Sequence, residues 1–142
     1  MSCENRYQTG NDECATPSWI KDGIFSNWYD PCPLTQGLVE RDGLNSEWVG
    51  DRIFVNPPYS KPLPWIERAI AESKKGKTIA LLVKHDSSTK WWAKLHEAGA
   101  HFLPFIGRLS FNSGKPAPFP SVLVILYPSS IVPKNMTQEE KP

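Results

Sequence analysis

The run Ile53-Phe54-Val55-Asn56-Pro57-Pro58-Tyr59-Ser60 joins a β-branched and aromatic segment to a tetrapeptide equipped for chemistry. Two consecutive prolines fix φ and remove two amide donors, and each pushes the residue before it to an extended shape, so backbone carbonyls are left turned outward. With the Asn56 side-chain oxygen beside them, those carbonyls can accept hydrogen bonds from an NH2 group on a planar ring, and Tyr59 can stack on that ring's face. Asn56, Pro57, Pro58 and Tyr59 are therefore candidate catalytic residues forming a receptor for an exocyclic amine. Asp30-Pro31-Cys32-Pro33 is a second candidate, because an acidic residue on a proline-ordered loop can hold an amino or cationic ligand group. Taken alone, the same four residues also describe a turn with a capping Asp.

Lys84, His85, Lys90, Arg108 and Lys115 fall on loops beside these segments, interleaved with Trp91, Trp92 and Phe111 as a nucleic-acid cleft requires. Ser60 joins them as a candidate nucleic-acid contact, and Arg108, in Gly107-Arg108-Leu109-Ser110-Phe111, is the strongest of the set. His85, His96 and His101 lack metal-ligand spacing, so no metal site is expected. His101, opening a strand, and Trp65, on a helix, read as structural.

Composition narrows the class. The chain has 142 residues, enough for one domain with a real core and too few for a catalytic domain plus a substantial recognition domain. A net charge of +1 gives no bulk electrostatic case for a polyanion partner, so such contact must come from a local patch. Cys3, Cys14 and Cys32 form no CxxC pair and read as reduced thiols in a cytoplasmic protein. No apolar run reaches the roughly 20 residues of a membrane span, so no membrane partner is expected. Fourteen prolines and six tryptophans favour a turn-rich, enzyme-like domain over a helical bundle.

The elements that must position these residues follow from period and punctuation. Thr16-Pro17 opens a short helix through about Phe25, and Trp28-Tyr29-Asp30 is a short strand. After the strand ending at Asn56, Ser60 caps a helix whose Leu63, Ile66 and Ile70 share one face and which stops at Gly76. Residues 78–83 are a strand buried on both faces, 89–98 a helix closed by Gly99, and 101–106 and 121–127 two further strands joined by loop 107–120. This order predicts an α/β doubly wound domain with five strands, mostly parallel. Ligands in such sheets bind at the carboxyl ends of the strands, where Asp30, Asn56 and Lys84-His85-Asp86 sit. Residues 1–15 and 128–142 read as loose tails flanking a single domain.

In this order and spacing, Thr16-Pro17, Asp30-Pro31-Cys32-Pro33, Trp48, Asn56-Pro57-Pro58-Tyr59-Ser60, Trp65, Trp91-Trp92, Gly107-Arg108-Leu109-Ser110-Phe111 and Pro118-Phe119-Pro120-Ser121 closely resemble the phage-type DNA N6-adenine methyltransferase family. The resemblance runs from about Glu13 to Tyr127. It implies a compact S-adenosylmethionine-dependent methyltransferase fold, Rossmann-like, with a shortened second-strand region and an antiparallel last strand, 121–127, inserted beside residues 78–83, a return for which loop 107–120 is long enough. It further implies that Thr16 and Pro17 contact the methionine part of the cofactor, that Asp30 with Pro31 and Cys32 holds its amino-acid group, and that Asn56 meets both cofactor and target. The implied partner is DNA, either a duplex whose adenine flips out to stack on Tyr59 or a single strand. A chain this small can use a second copy, as a homodimer, to grip a duplex. Two departures stand out: Pro33-Leu34-Thr35-Gln36-Gly37 occupies the place of a G-x-G loop, and the ribose-gripping acid has only Glu40, Asp42 and Glu47 as candidates. The amine receptor itself leaves three targets open: adenine in DNA, adenine in RNA and a glutamine amide. A non-catalytic relative that binds nucleic acid or cofactor is a further alternative.

Overall fold

The computed structural model describes residues 16–32, 43–110 and 119–128. The expected tails therefore lie outside the described residues, apart from Pro128, which is buried. Among the described residues, four strands, β1 (Arg52–Val55), β2 (Thr78–Lys84), β3 (His101–Pro104) and β4 (Ser121–Leu126), form one sheet in the order β1-β2-β4-β3. β1 and β2 run parallel, from Arg52↔Thr78 to Val55↔Leu81, while β4 is antiparallel to both β2 and β3. The last strand is thus inserted beside residues 78–83 as the resemblance implies. The fifth strand is not one: Tyr29 forms a single parallel bridge to Ile53, its N–H donating to the Arg52 carbonyl at 3.0 Å and its own carbonyl accepting from Phe54 at 2.8 Å. Pairing stops there because Pro31 has no amide donor and the Cys32 N–H is taken by the Asp30 side chain at 2.9 Å.

Period-two alternation sorts the sheet's side chains onto two faces. Ile53, Val55, Ile79, Leu81, Val83, Val122, Val124 and Leu126 meet Trp65, Ile66, Ala69, Trp91 and Leu95 from α1 (Leu63–Lys74) and α2 (Lys90–Glu97). Phe54, Ala80 and Leu82 point the other way and pack with Ile20, Phe25, Leu109 and Phe119. Each fully buried aliphatic side chain is worth about 1.5–3 kcal/mol, so both faces contribute to holding β1 and β2 at fixed register.

Several boundaries differ from expectation for local reasons. The first helix is a π-helical turn, Trp19–Ile24, in which the Phe25 N–H donates to the Ile20 carbonyl at 3.0 Å. Closure from i to i+5 brings Ile20 and Phe25 to one side, whereas an α-helix would set them about 140° apart, and both are buried. Ser60 does not cap α1; the cap position belongs to Pro62, which with Pro64 presets φ so that the helix begins at Leu63. α2 begins one residue later than expected, at Lys90, because Thr89 caps it, its Oγ1 accepting from the Trp92 N–H at 3.3 Å. Gly76 stops α1 and Gly99 stops α2, at φ 104° and 78°. β3 ends at Pro104 and β4 at Leu126, shorter than the sequence suggests.

Candidate active site

At the carboxyl end of β1 the chain leaves the sheet as Asn56-Pro57-Pro58-Tyr59. Asn56 is 3% exposed, and its Nδ2 donates to Thr16 Oγ1 at 3.0 Å, which brings the first described residue to the Asn-Pro-Pro-Tyr segment. Pro57 is buried, Pro58 and Tyr59 are half-buried, and Ser60 is exposed. The Tyr59 ring meets Phe119 edge-on at 4.8 Å and 74°, so the residue leading into β4 packs against this segment. A pocket of about 170 Å³ opens here between Pro57, Tyr59 and Pro62 on one side and Lys84, Asp86 and Thr89 on the other. Its size is close to that of cavities of about 150 Å³ that accept a single aromatic ring.

Asp30 follows the single Tyr29 bridge, beside β1. Its Oδ2 pairs with Lys21 Nζ at 2.5 Å and its Oδ1 accepts from the Cys32 N–H at 2.9 Å. Lys21 carries no sequence signal, because it stands nine residues before its partner and becomes adjacent only through the π-helical turn. Pro17 and Cys32 are buried, and the Pro17 carbonyl starts that turn by accepting from Ile20 and Lys21, both at 3.0 Å.

The basic candidates divide. Lys84 lines the pocket, with Nζ 5.8 Å from the Phe119 ring centroid. His85 instead stacks on Trp92 at 5.2 Å and 2°, at one end of a row continued by Trp92 on Phe102 at 4.5 Å. Lys90 is exposed at the start of α2 and Arg108 is exposed after the Gly107 turn, while Lys115 and Phe111 lie outside the described residues. Of the ribose candidates, Glu47 is exposed, and Glu40 and Asp42 lie outside the described residues, as does the stretch 33–37. Trp65 and His101 are structural as expected: Trp65 packs near-parallel to Trp48 at 6.3 Å, and His101 meets Tyr127 edge-on at 5.1 Å. Among the described residues no group of His, Cys, Asp or Glu is arranged to hold a metal ion, and no helix is long and apolar enough to cross a membrane.

A second feature, which no sequence motif announces, fixes the loop that feeds β1. Arg68 donates from Nη1 to the Leu44 carbonyl, from Nη2 to the Ser46 carbonyl and from Nε to Glu72 Oε2, each at 2.8 Å, while its guanidinium lies 4.8 Å from a Trp48 ring centroid. Glu72 is 2% exposed and also pairs with Lys77 at 2.9 Å and Lys75 at 3.3 Å; Lys77 in turn donates to the Trp48 carbonyl. Burial works to raise the Glu72 pKa, but hydrogen bonds from Lys77, Arg68 and Lys75 overcome it and bring the value from 4.5 to about 2. The i, i+4 spacing of Arg68 and Glu72 was the available signal, although it speaks only for an exposed pair.

Among known families, that of the DNA N-6-adenine-methyltransferases (Dam) matches this chain over residues 35–118, more than half of its length. The chain belongs to that family. The matched region contains Asn56-Pro57-Pro58-Tyr59 and all the basic candidates, and it begins after Thr16, Pro17, Asp30, Pro31 and Cys32. A DNA N-6-adenine-methyltransferase of Haemophilus phage HP1 (strain HP1c1) is 32% identical over 105 residues, covering 65% of this chain and 61% of the phage protein. The chain thus spans about three fifths of that relative's length. No solved structure matches it.

Proposed function

We propose that this chain, as a single methyltransferase domain, transfers the methyl group of S-adenosylmethionine to the N6 amine of adenine in DNA. The observation that carries the reading is Asn56: a buried amide at the carboxyl end of a parallel strand, bonded to Thr16 and followed by two prolines and a half-buried tyrosine beside a ring-sized pocket. The sheet supports it, since one antiparallel strand among parallel neighbours, with the site at the strand ends, suits a methyltransferase-like fold.

The residues present also fit the cofactor. The Asp30 carboxylate and the Lys21 ammonium, 2.5 Å apart, offer opposite charges to the ammonium and carboxylate of an amino-acid group, and Thr16 and Asn56 add a polar pair at the adjoining strand end. When bound, S-adenosylmethionine supplies an electrophilic methyl group on a sulfonium. The adenine N6 lone pair is delocalised into the ring and reacts poorly until its two N–H bonds are directed elsewhere. Asn56 Oδ1 and the Pro57 carbonyl accept those two bonds and draw N6 toward tetrahedral geometry. Tyr59 holds the base by stacking, which a duplex substrate can exploit only by flipping the adenine out. Because Asn56 is withdrawn from water and fixed by Thr16, its dipole needs little reorganisation as positive charge grows on N6. Catalysis on this reading is positioning and electrostatics.

The test is methyl transfer from labelled S-adenosylmethionine to DNA, RNA and a glutamine-containing peptide in parallel. Label recovered as N6-methyladenine from DNA supports the reading; label confined to RNA or peptide, or none at all, contradicts it.

A further inference from the structure

The pocket beside Asn56 poses a donor question. If both N6–H bonds of adenine are used by Asn56 and Pro57, every other polar atom of the base is a ring nitrogen, which only accepts. A pocket that tells adenine from other amines then needs a donor. Thr89 is committed as the α2 cap, its hydroxyl donating to the Asp86 carbonyl at 2.9 Å and accepting from Trp92. The Tyr59 hydroxyl is a buried atom, and Trp91, which also lines the pocket, is only 9% exposed and packs into the core. Asp86 is an acceptor: bonds from the Ser88 hydroxyl at 2.6 Å and the Ser88 N–H at 3.1 Å hold its carboxyl below the usual range, with Lys84 adding its charge. Lys84 remains. By strand alternation it shares the sheet face of Ala80 and Leu82, the face that carries Phe54, Tyr59 and Phe119. Its ammonium lies within cation–π range of the Phe119 ring, the ring that also abuts Tyr59.

We propose that Lys84 reads the edge of the target base, its ammonium donating a hydrogen bond to a ring nitrogen of adenine rather than to a phosphate. This rests on the adenine-N6 reading above. A lysine whose stem is half-buried in the pocket wall is poorly placed to follow a phosphate backbone, and a fixed donor at a base edge carries selectivity.

The experiment is a cycle of enzyme and substrate changes. Oligonucleotides containing the site methylated by the wild-type chain are made with 1-deaza-, 3-deaza- or 7-deazaadenine at the target, and kcat/KM is measured for wild type and Lys84→Met. Replacing a ring nitrogen by C–H alters N6 reactivity equally for both enzymes, so that change cancels in the ratio. One analogue is expected to cost the wild type about 10- to 100-fold more than it costs Lys84→Met. Equal costs for all three analogues would overturn the assignment. So would a fall of about one in the slope of log K against log salt for Lys84→Met, the signature of a lost phosphate contact. Should Lys84→Met not fold, Lys84→Leu, which likewise removes the donor, enters the same cycle. A wild-type chain that methylates adenine with no coupling to Lys84 sinks only this assignment, whereas one that leaves adenine untouched sinks the adenine reading with it.

Discussion

At Asn56 one amide serves two neighbours, Thr16 through Nδ2 and, on the proposed mechanism, adenine N6 through Oδ1. Tyr59 has a different task, and the two residues separate by step. Tyr59→Ala removes a stacking surface worth roughly 1–3 kcal/mol, so its defect is expected mainly in target binding. Tyr59→Phe keeps the ring against Phe119 and is expected to retain most of the activity; DNA affinity measured beside turnover for both variants checks this. Asp30 calls for a gentler change than Ala, because its two oxygens also order the turn to Cys32. Asp30→Asn keeps an acceptor for that N–H and deletes the charge, so S-adenosylmethionine affinity by calorimetry is expected to fall by roughly 1.5–3 kcal/mol with little change in melting temperature. Unchanged affinity would remove Asp30 from the cofactor site.

The elements show where sequence is informative and where it is not. Both helix stops were legible because only a residue without Cβ adopts the left-handed turn at Gly76 and Gly99 cheaply. The buried run of β2 was equally plain. The π-helical turn was not, since its closure depends on Ile20 and Phe25 both finding Phe54 and its neighbours, a tertiary demand. The Arg68 and Glu72 clamp was hidden for a related reason: its partners are backbone carbonyls of a loop more than twenty residues away. That clamp makes a stability prediction with a definite sign. Folding lowers the Glu72 pKa, so its contribution is complete above 4.5 and is lost as pH falls toward about 2. Wild type is expected to lose about 3 kcal/mol over that window from this group, and Glu72→Gln to lack that component, which denaturant melts across the pH range would reveal. Gly43 belongs to the same loop: a Cβ there would meet the Pro31 carbonyl and come within 2.7 Å of Trp65. Gly43→Ala is therefore expected to cost roughly 1–3 kcal/mol in the same melts.

For the molecule as a whole, the antiparallel insertion of β4 beside β2 was legible through the family resemblance, and loop 107–120 is long enough for the return. The pocket's far wall was less so. Phe119 and Lys84 stand 35 positions apart and meet only through the β2 and β4 pairing, in which Lys84 faces Ser121. The paired strands thus bring Asn56-Pro57-Pro58-Tyr59, a ring-sized pocket and a lysine to one end of the sheet, while Arg68 holds the loop that feeds β1. Whether that assembly is an adenine-N6 site turns on a single comparison. Turnover on adenine-containing DNA is measured for wild type and Asn56→Ala, each first shown by its thermal melt to be folded. Wild type is expected to form N6-methyladenine and Asn56→Ala to fall by about 100-fold or more in kcat, with a much smaller change in DNA affinity. A folded Asn56→Ala protein turning over near the wild-type rate would contradict the amine-receptor mechanism.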